Sequence, residues 1–204
     1  MNRRAMTRTF KTLFAVAAAT CTLALGACSG GVTESPPLEG AAIGGDFTLT
    51  GKDSKPVRWS DFDGKYRIVY FGYTFCPDVC PVDLQNIAQG LRVFAQDHAE
   101  EARNVVPIFI TIDPQRDTAE IVGKYAANFG PNVVGLTGTP AEIDAVAKKW
   151  AVFHARREGS SPDDYLMDHS RGAFLMGPKG DPIALLPAEQ NAKAVAAELA
   201  KWVR

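Results

Sequence analysis

Two continuous apolar runs, Arg67 to Tyr73 and Val105 to Ile112, constrain the fold of this chain more than any other feature of its sequence. Both are rich in β-branched and aromatic residues, a composition typical of strands that are buried on both faces of a sheet. Between them, apolar residues recur at helical spacing from Leu84 to Phe94. A strand, a helix and a second strand form a right-handed parallel unit, so the sequence predicts an α/β fold.

Shorter segments extend this unit at both ends. Thr139, Pro140 and Glu142 have the residue types of a helix N-cap, a first-turn proline and a capping-box glutamate, so a helix should run from there to about Trp150. The other predicted elements are a hairpin over 47–59, a helix over 118–129 with Ile121, Val122 and Tyr125 inward, a strand at 133–134, strands over 172–176 and 183–186, and a helix over 191–202. This order predicts a thioredoxin-like fold with an N-terminal β-hairpin and inserted elements, in which helices flank a central mixed sheet.

The N-terminus has the pattern of an export signal. Four basic residues within the first 11 precede a run of 16 small and apolar residues, 12–27, as in the n-region and h-region of a signal peptide. The run ends in Leu-Gly-Ala-Cys28, which resembles the lipobox of bacterial lipoproteins, where cleavage precedes the cysteine and its thiol takes a lipid. An uncleaved signal anchor is the alternative, although a membrane-spanning helix needs about 20 apolar residues.

This interpretation divides the chain into a signal peptide at 1–27, a lipidated Cys28 with a flexible Gly-, Ser- and Pro-rich tether to residue 45, and a folded domain over 46–204. It places the domain on the extracytoplasmic, periplasmic side of a bacterial cell membrane, held there by the lipid anchor. Without residues 1–27, 18 basic and 23 acidic residues remain. This acidic balance argues against nucleic acid as a partner.

Cys76 and Cys80 are the only cysteines of the predicted domain, and in an oxidising compartment such a pair forms a disulfide, a redox couple or a metal site. They lie at a strand-to-helix corner, where backbone amides and the helix dipole favour thiolates with a lowered pKa. On a helix, residues i and i+4 share one face with Cβ atoms about 6 Å apart. That gap suits two sulfurs on one ion better than a disulfide, in which Cβ atoms lie about 3.8 Å apart.

His169 is the best candidate for a third ligand among three histidines. His98 lies at a polar helix end and His154 in an alternating strand segment, so we expect a solvated and a structural role for them. His169 lies in a predicted loop before a core strand, which a thioredoxin-like fold brings opposite the first strand-to-helix corner. Two thiolates and one imidazole suit Cu(I), and can also hold Cu(II) with an added donor. Asp168 could orient the imidazole as a hydrogen-bond partner.

Three motifs together resemble the Sco/SenC family of copper proteins, which serve cytochrome c oxidase assembly. The motifs are CPDVCP at 76–81, DPQRDT at 113–118 and YLMDHS at 165–170. The resemblance implies copper binding by Cys76, Cys80 and His169. It also implies delivery of copper, or reduction of cysteines, at the dinuclear copper site of the oxidase.

For the second motif, the resemblance implies that Asp113 lies near the metal or on a docking surface. In the same motif, Asp117 or Thr118 can cap the next helix. The expected partners are the copper-bearing oxidase subunit, a copper donor chaperone and a thioredoxin-like reductant that keeps the dithiol reduced. A metallochaperone is therefore the first hypothesis, and a thiol-disulfide oxidoreductase is the second. A peroxidase is disfavoured because Thr74 lies two residues before Cys76 rather than three.

Overall fold

The structure, a computed structural model, describes residues 34–161 and 164–204 of the chain. The predicted signal peptide at 1–27 and the predicted lipid-anchored Cys28 lie outside the described residues. Within the described part of the chain, no helix has the length and apolar character needed to cross a membrane. The segment Pro36–Arg204 is one compact unit.

A mixed sheet of seven strands forms the centre of this unit, and two further strands pair with each other. The strands are β1 (Thr48–Gly51), β2 (Pro56–Arg58), β3 (Tyr66–Gly72), β4 (Val105–Thr111), β5 (Val134–Thr137), β6 (His154–Ser161), β7 (Asp164–His169), β8 (Ala173–Met176) and β9 (Pro182–Leu186). The order of the large sheet is β2-β1-β5-β4-β3-β8-β9. The β3–β4 and β4–β5 pairs are parallel and all other pairs are antiparallel. The predicted opening hairpin is β1 and β2.

Helices flank the sheet as predicted, and the mixed α/β architecture is confirmed. The helices are α1 (Val79–Asp97), α2 (Ala99–Ala102), α3 (Ala119–Ala127), α4 (Pro140–Lys149) and α5 (Ala192–Trp202). The predicted capping box starts α4, because the Thr139 N–H donates to the Glu142 carboxylate at 2.7 Å and the Glu142 N–H donates to the Thr139 hydroxyl at 3.3 Å. Local sequence chemistry therefore decides where this helix begins.

The central strand β3 places the candidate site. Alternate side chains of a strand point to opposite faces: Tyr70 bonds to Asp83 of α1, whereas Phe71 packs against Trp150 with ring centroids 5.8 Å apart. In the parallel register, Gly72 lies opposite Thr111 of β4. The carboxyl ends of both strands therefore meet at one edge, where Cys76 and Cys80 follow β3.

The folded domain begins earlier than predicted. The Leu38 N–H donates to the Ile183 carbonyl at 3.0 Å, and the Gly44 N–H donates to the Lys149 carbonyl at 3.1 Å. Residues 36–45, predicted as part of a flexible tether, therefore belong to the compact unit. Main-chain hydrogen bonds hold this segment. The sequence did not predict them, because the segment has few large apolar side chains and such hydrogen bonds leave no pattern in the sequence.

Helix α3 buries a narrower face than predicted. Val122 and Ala126 are fully buried, whereas Ile121 is 37% exposed. Consecutive helical residues point about 100° apart, so Ile121 and Val122 cannot both face the core. Tyr125 packs on Phe109 with ring centroids 5.2 Å apart, as the inward prediction requires.

Gly90 permits the close packing of α1 on α5, so its replacement by alanine should destabilise the protein. A Cβ at this position would lie 2.5 Å from Val195 Cγ1 and 2.9 Å from the Ala192 carbonyl oxygen. Overpacking of this kind costs about 1–3 kcal/mol, against a helix-propensity gain of about 1 kcal/mol. We expect a lower urea midpoint for Gly90→Ala and partial recovery when Val195→Ala is added. Wild-type stability of the single variant would contradict this packing.

Candidate metal centre

The site begins at the corner where β3 ends. The Gly72 carbonyl accepts the Ile112 N–H at 2.8 Å, which ties the ends of β3 and β4 together. The Asp117 carboxylate then fixes the connecting segment, accepting the Thr74 N–H at 2.9 Å and the hydroxyls of Thr74 and Thr111. Burial raises the pKa of Asp117, while the hydrogen bonds from the two threonines oppose that shift.

These contacts decide between the two predicted helix caps. The Thr118 hydroxyl accepts the Ile121 N–H at 3.4 Å and caps α3, so the prediction for Thr118 is confirmed. The prediction for Asp117 is wrong, because its carboxylate points into the corner instead. The hydroxyl of Thr74 is likewise engaged by Asp117.

Cys76 and Cys80 meet at the N-terminus of α1 as free thiols. Because α1 begins at Val79, Cys80 lies in its first turn and Cys76 precedes the helix. The prediction that both residues share one helical face is therefore wrong. Instead, the Cys80 N–H donates to Cys76 Sγ at 3.4 Å. Cys76 is half-buried and Cys80 is fully buried.

Burial dominates the chemistry of Cys80. It raises the pKa of the Cys80 thiol, and the hydrogen bond with Cys76 raises it further. The predicted lowering of the pKa is therefore wrong for Cys80, since a helix dipole typically contributes about 0.3–1 kcal/mol whereas full burial can shift a pKa by up to about 3–5 units. The backbone also approaches closely, because a Cβ at Gly72 would lie 3.0 Å from Cys80 Sγ. A metal ion that binds Cys80 would therefore have to displace the thiol proton.

His169 reaches Cys80 from the end of β7, rather than from a loop as predicted. Its Nε2 lies 3.4 Å from Cys80 Sγ, and its Nδ1 lies 2.9 Å from the Ser170 carbonyl oxygen. A carbonyl only accepts hydrogen bonds, so Nδ1 carries a proton and the neutral ring presents its Nε2 lone pair to Cys80. Tyr70 and Tyr73 flank the imidazole at near-right angles, with centroids 6.5 and 6.2 Å away. Burial lowers the pKa of His169.

Asp168 does not orient this imidazole. Its carboxylate is 52% exposed and lies 3.7 Å from the Arg157 guanidinium. The orienting partner of His169 is the Ser170 main-chain carbonyl. The role predicted for Asp168 is therefore wrong, because a strand turns neighbouring side chains to opposite faces.

Asp113 is a buried anchor, and the predicted docking role is wrong. It is 2% exposed. Its carboxylate accepts the Tyr165 hydroxyl at 2.7 Å and the Arg116 Nε–H at 2.6 Å. The Arg116 guanidinium lies over the Tyr165 ring, 3.5 Å from its centroid. Together these contacts fasten β7 to the end of β4.

The other two histidines have other partners. His154 begins β6, as the strand prediction requires, and its Nε2 lies 3.2 Å from Asp144. It faces His169 in the register of the hairpin. His98 is half-buried and stacks on Phe94 with centroids 4.7 Å apart, so it is only partly solvated, whereas a fully solvated position was predicted.

A group of three residues beneath the site was not predicted. Asp83 is fully buried on α1 and accepts the Tyr70 hydroxyl at 3.0 Å and the Arg171 Nε–H at 2.6 Å. One signal was present in the sequence, because Asp83 stands at helical spacing between Cys80 and Ile87 on the apolar face of α1. A charge on a buried face requires a partner, but a single sequence does not say which residue supplies it.

The candidate ligands open onto a cleft of about 340 Å³ that Cys76 and His169 line. Cys80 lies behind them and is fully buried. Among the residues that the structure describes, no three His, Cys, Asp or Glu side chains already stand at the spacing of a metal cluster. The Cys80–His169 pair is thus already in contact, and Cys76 lies beside it, with its sulfur 3.4 Å from the Cys80 main-chain nitrogen.

Acidification should destabilise the metal-free protein through His169. Because its folded pKa is lowered, the contribution of His169 to stability is fully present above its ordinary pKa of about 6.5 and is lost as the pH falls through the folded pKa. The slope cannot exceed about 1.4 kcal/mol per pH unit for one proton. Urea unfolding at pH 7.5 and 5.5 should show a larger loss for wild type than for His169→Gln, in which the other histidines are unchanged. Equal losses would contradict the prediction.

Comparison with known proteins identifies close relatives. A family model described as SCO1/SenC matches residues 35–204. A mitochondrial SCO1 homologue of Arabidopsis thaliana is 41% identical over 148 residues, which cover 72% of this chain and 43% of that protein. The chain therefore spans less than half the length of this curated relative.

Two solved structures resemble the fold closely, and both contain copper. The copper-bound ScoI of Arabidopsis thaliana has a TM-score of 0.72 and 36% identity, with coverage of 78% of this chain and 97% of that one. The copper-bound ScoI of Bradyrhizobium japonicum has a TM-score of 0.70 and 37% identity, with coverage of 79% and 99%. These likenesses confirm the predicted thioredoxin-like fold.

Proposed function

Because the chain belongs to the SCO1/SenC family, we propose that it is a copper metallochaperone for assembly of the dinuclear copper site of cytochrome c oxidase. Cys76, Cys80 and His169 hold the copper that it delivers. The observation that carries this proposal is the 3.4 Å approach of His169 Nε2 to Cys80 Sγ, since these residues lie 89 positions apart in the chain. The copper in the two related structures supports the choice of metal.

The chemistry of the donor set fits copper. Two sulfurs and one imidazole form a soft, three-coordinate set that suits Cu(I), and an added donor would allow Cu(II). A structural zinc site would require a fourth protein ligand. The high pKa of Cys80 means that loading releases a proton, so copper affinity should rise with pH.

The proposed partners follow from this cargo. Copper is received from a donor chaperone and passed to the copper-bearing subunit of the oxidase. A thioredoxin-like reductant keeps Cys76 and Cys80 as thiols, because an oxidising compartment would otherwise pair them. The signal at 1–27 would direct export, and after its cleavage the lipid on Cys28 would hold the domain on the extracytoplasmic face of the membrane, beside that subunit.

A thiol-disulfide oxidoreductase is the second candidate, and the unequal exposure of the cysteines favours it. Cys76 is half-buried beside an open cleft, whereas Cys80 is fully buried. An accessible attacking thiol and a protected resolving thiol are what disulfide exchange needs. In this role His169 is dispensable, so the metal-free His169→Ala protein should reduce a disulfide substrate at the wild-type rate. If the metal-free wild-type protein reduces the disulfide substrate no faster than a free dithiol does, the oxidoreductase role is excluded.

Copper transfer tests the first proposal. The full chain, with Cys21 and Cys28 replaced by serine so that no other thiols remain, is loaded with one equivalent of Cu(I) without oxygen. It is then mixed with the metal-free copper domain of the oxidase subunit and separated. Copper should move to the subunit domain faster than from a small-molecule Cu(I) complex of equal affinity. Transfer at or below that control rate would contradict a chaperone role.

A further inference from the structure

We propose that Asp83 is a positioning residue of the metal centre: one buried carboxylate holds the helix that carries Cys80 and the strand that carries His169 in a fixed relation. The inference rests on the ligand set of the proposed function, but the arrangement it concerns is present in the metal-free protein. Asp83 acts through two side chains, Arg171 and Tyr70.

Arg171 and Asp83 make a two-bond contact. The Arg171 Nε lies 2.6 Å from Asp83 Oδ2, and its Nη2 lies 2.5 Å from Oδ1. Asp83 is fully buried, whereas the Arg171 side chain is 37% exposed. Paired bonds between a planar guanidinium and a carboxylate fix orientation as well as distance. Lysine, a flexible point charge, would not reproduce this geometry.

Arg171 carries this constraint to His169, which lies two residues before it. His169 belongs to the β6–β7 sheet, which shares no strand pairing with the seven-stranded sheet. Ladder hydrogen bonds therefore do not fix the imidazole relative to Cys80. Ser170, whose carbonyl accepts from His169 Nδ1, lies between His169 and Arg171. The Asp83–Arg171 pair thus ties the segment that immediately follows His169 to α1.

Tyr70 extends the tie to the central strand. Its hydroxyl donates to Asp83 Oδ2 at 3.0 Å. The ring stands perpendicular to the His169 imidazole, with centroids 6.5 Å apart. A phenol has one proton to donate, so the hydrogen bond to the Asp83 carboxylate fixes how the Tyr70 ring is turned toward the His169 imidazole.

Energetic considerations suggest that the Asp83–Arg171 pair serves to position the ligands rather than to stabilise the fold. A buried ion pair often contributes little to stability, because the loss of hydration offsets the attraction between the charges. Replacement of a buried ion pair by apolar side chains of similar volume is often neutral or stabilising. The Asp83 carboxylate instead accepts one hydrogen bond from Tyr70 on β3 and two from Arg171 after β7. Such contacts are directional, and directional contacts hold metal ligands in position.

The test compares the full-length chain carrying Cys21→Ser and Cys28→Ser, in detergent, with two carboxylate variants in that background. Asp83→Asn keeps the side-chain shape and removes the charge. Asp63→Asn is the control for loss of a carboxylate that pairs with an arginine elsewhere in the fold, because the exposed Asp63 pairs at 2.9 Å with the buried Arg67 at the start of β3. The first measurement is the ¹H–¹⁵N spectrum of the His169 imidazole without metal. The second is the Cu(I) affinity by competition with a chelator.

We expect Asp83→Asn to shift the His169 imidazole resonances and to weaken Cu(I) binding by about 10- to 100-fold, the usual cost of losing a residue that orients a metal ligand. Asp63→Asn should change neither. If Asp83→Asn has wild-type resonances and affinity but a lower melting temperature, the pair is only structural and the proposal is overturned.

Two other results would also decide the role of Asp83. If the background protein binds no Cu(I), the proposed function fails, and the imidazole resonances of the metal-free proteins alone decide the role of Asp83. If Asp83→Asn does not fold, Arg171→Lys replaces it, since this side chain is partly exposed. Unchanged His169 resonances in Arg171→Lys would overturn the inference.

Discussion

Replacing Cys80 with serine should abolish tight copper binding. Cys80 is the centre of the proposed donor set, because its sulfur lies 3.4 Å from His169 Nε2 and its N–H contacts Cys76 Sγ. A serine hydroxyl is a hard donor that stays protonated, so Cu(I) would lose a soft ligand. Structural four-ligand metal sites have binding free energies of about 10–16 kcal/mol, so one ligand is worth about 3 kcal/mol. That energy corresponds to a factor of about 100 or more in affinity.

Chelator competition under anaerobic conditions measures this effect. Ala88→Ser is the matched control, since it also places a hydroxyl on the buried face of α1 but lies two turns beyond the site. It should lose some stability and keep the wild-type affinity for Cu(I). Copper binding by Cys80→Ser within a factor of three of wild type would remove Cys80 from the site.

Replacing His169 with alanine should weaken copper binding by a similar factor of about 100 and change the spectrum of the Cu(II) form. The neutral imidazole presents an Nε2 lone pair to Cys80 because the Ser170 carbonyl holds the proton on Nδ1. Loss of this donor leaves two sulfurs and an open position. The thiolate-to-copper charge-transfer bands should therefore shift and weaken.

His154→Ala is the control for this substitution. His154 stands opposite His169 in the same hairpin and pairs with Asp144, so its loss perturbs β6 without removing a proposed ligand. Millimolar imidazole should restore binding to His169→Ala by filling the space of the missing ring, and should leave His154→Ala unchanged. If the two variants bind copper equally well, His169 is not a ligand.

Much of the fold could be predicted because strong local signals agree with the tertiary structure. The apolar run that forms β3 is correct to within one residue, and Thr139 with Glu142 marks the start of α4. The hairpin of β6 and β7 carries no such signal, since charged side chains such as Arg156 and Arg157 occupy both of its faces. Its sequence therefore predicts only an isolated strand segment and a loop, with His169 in the loop.

The motifs are enough to propose the ligands, whereas their surroundings could not be predicted. The spacing and the residue types of the sequence motifs are enough to point to Cys76, Cys80 and His169. The Asp83–Arg171 pair joins residues 88 positions apart, and nothing local in the sequence marks such a pairing. The predicted direction of the Cys80 pKa shift was wrong for a related reason. The sequence indicates that Cys80 lies at a strand-to-helix corner, but it does not indicate that Cys80 is fully buried.

X-ray absorption spectroscopy of the Cu(I)-loaded protein tests the central claim most directly. The full chain with Cys21→Ser and Cys28→Ser, loaded with one equivalent of Cu(I), should give a first shell of two sulfurs and one nitrogen. Sulfur distances should be near 2.3 Å by analogy with thiolate bonds to zinc. The nitrogen should disappear in His169→Ala and remain in His154→Ala. A wild-type shell with fewer than two sulfurs, or a nitrogen that survives the loss of His169, would contradict the proposed site.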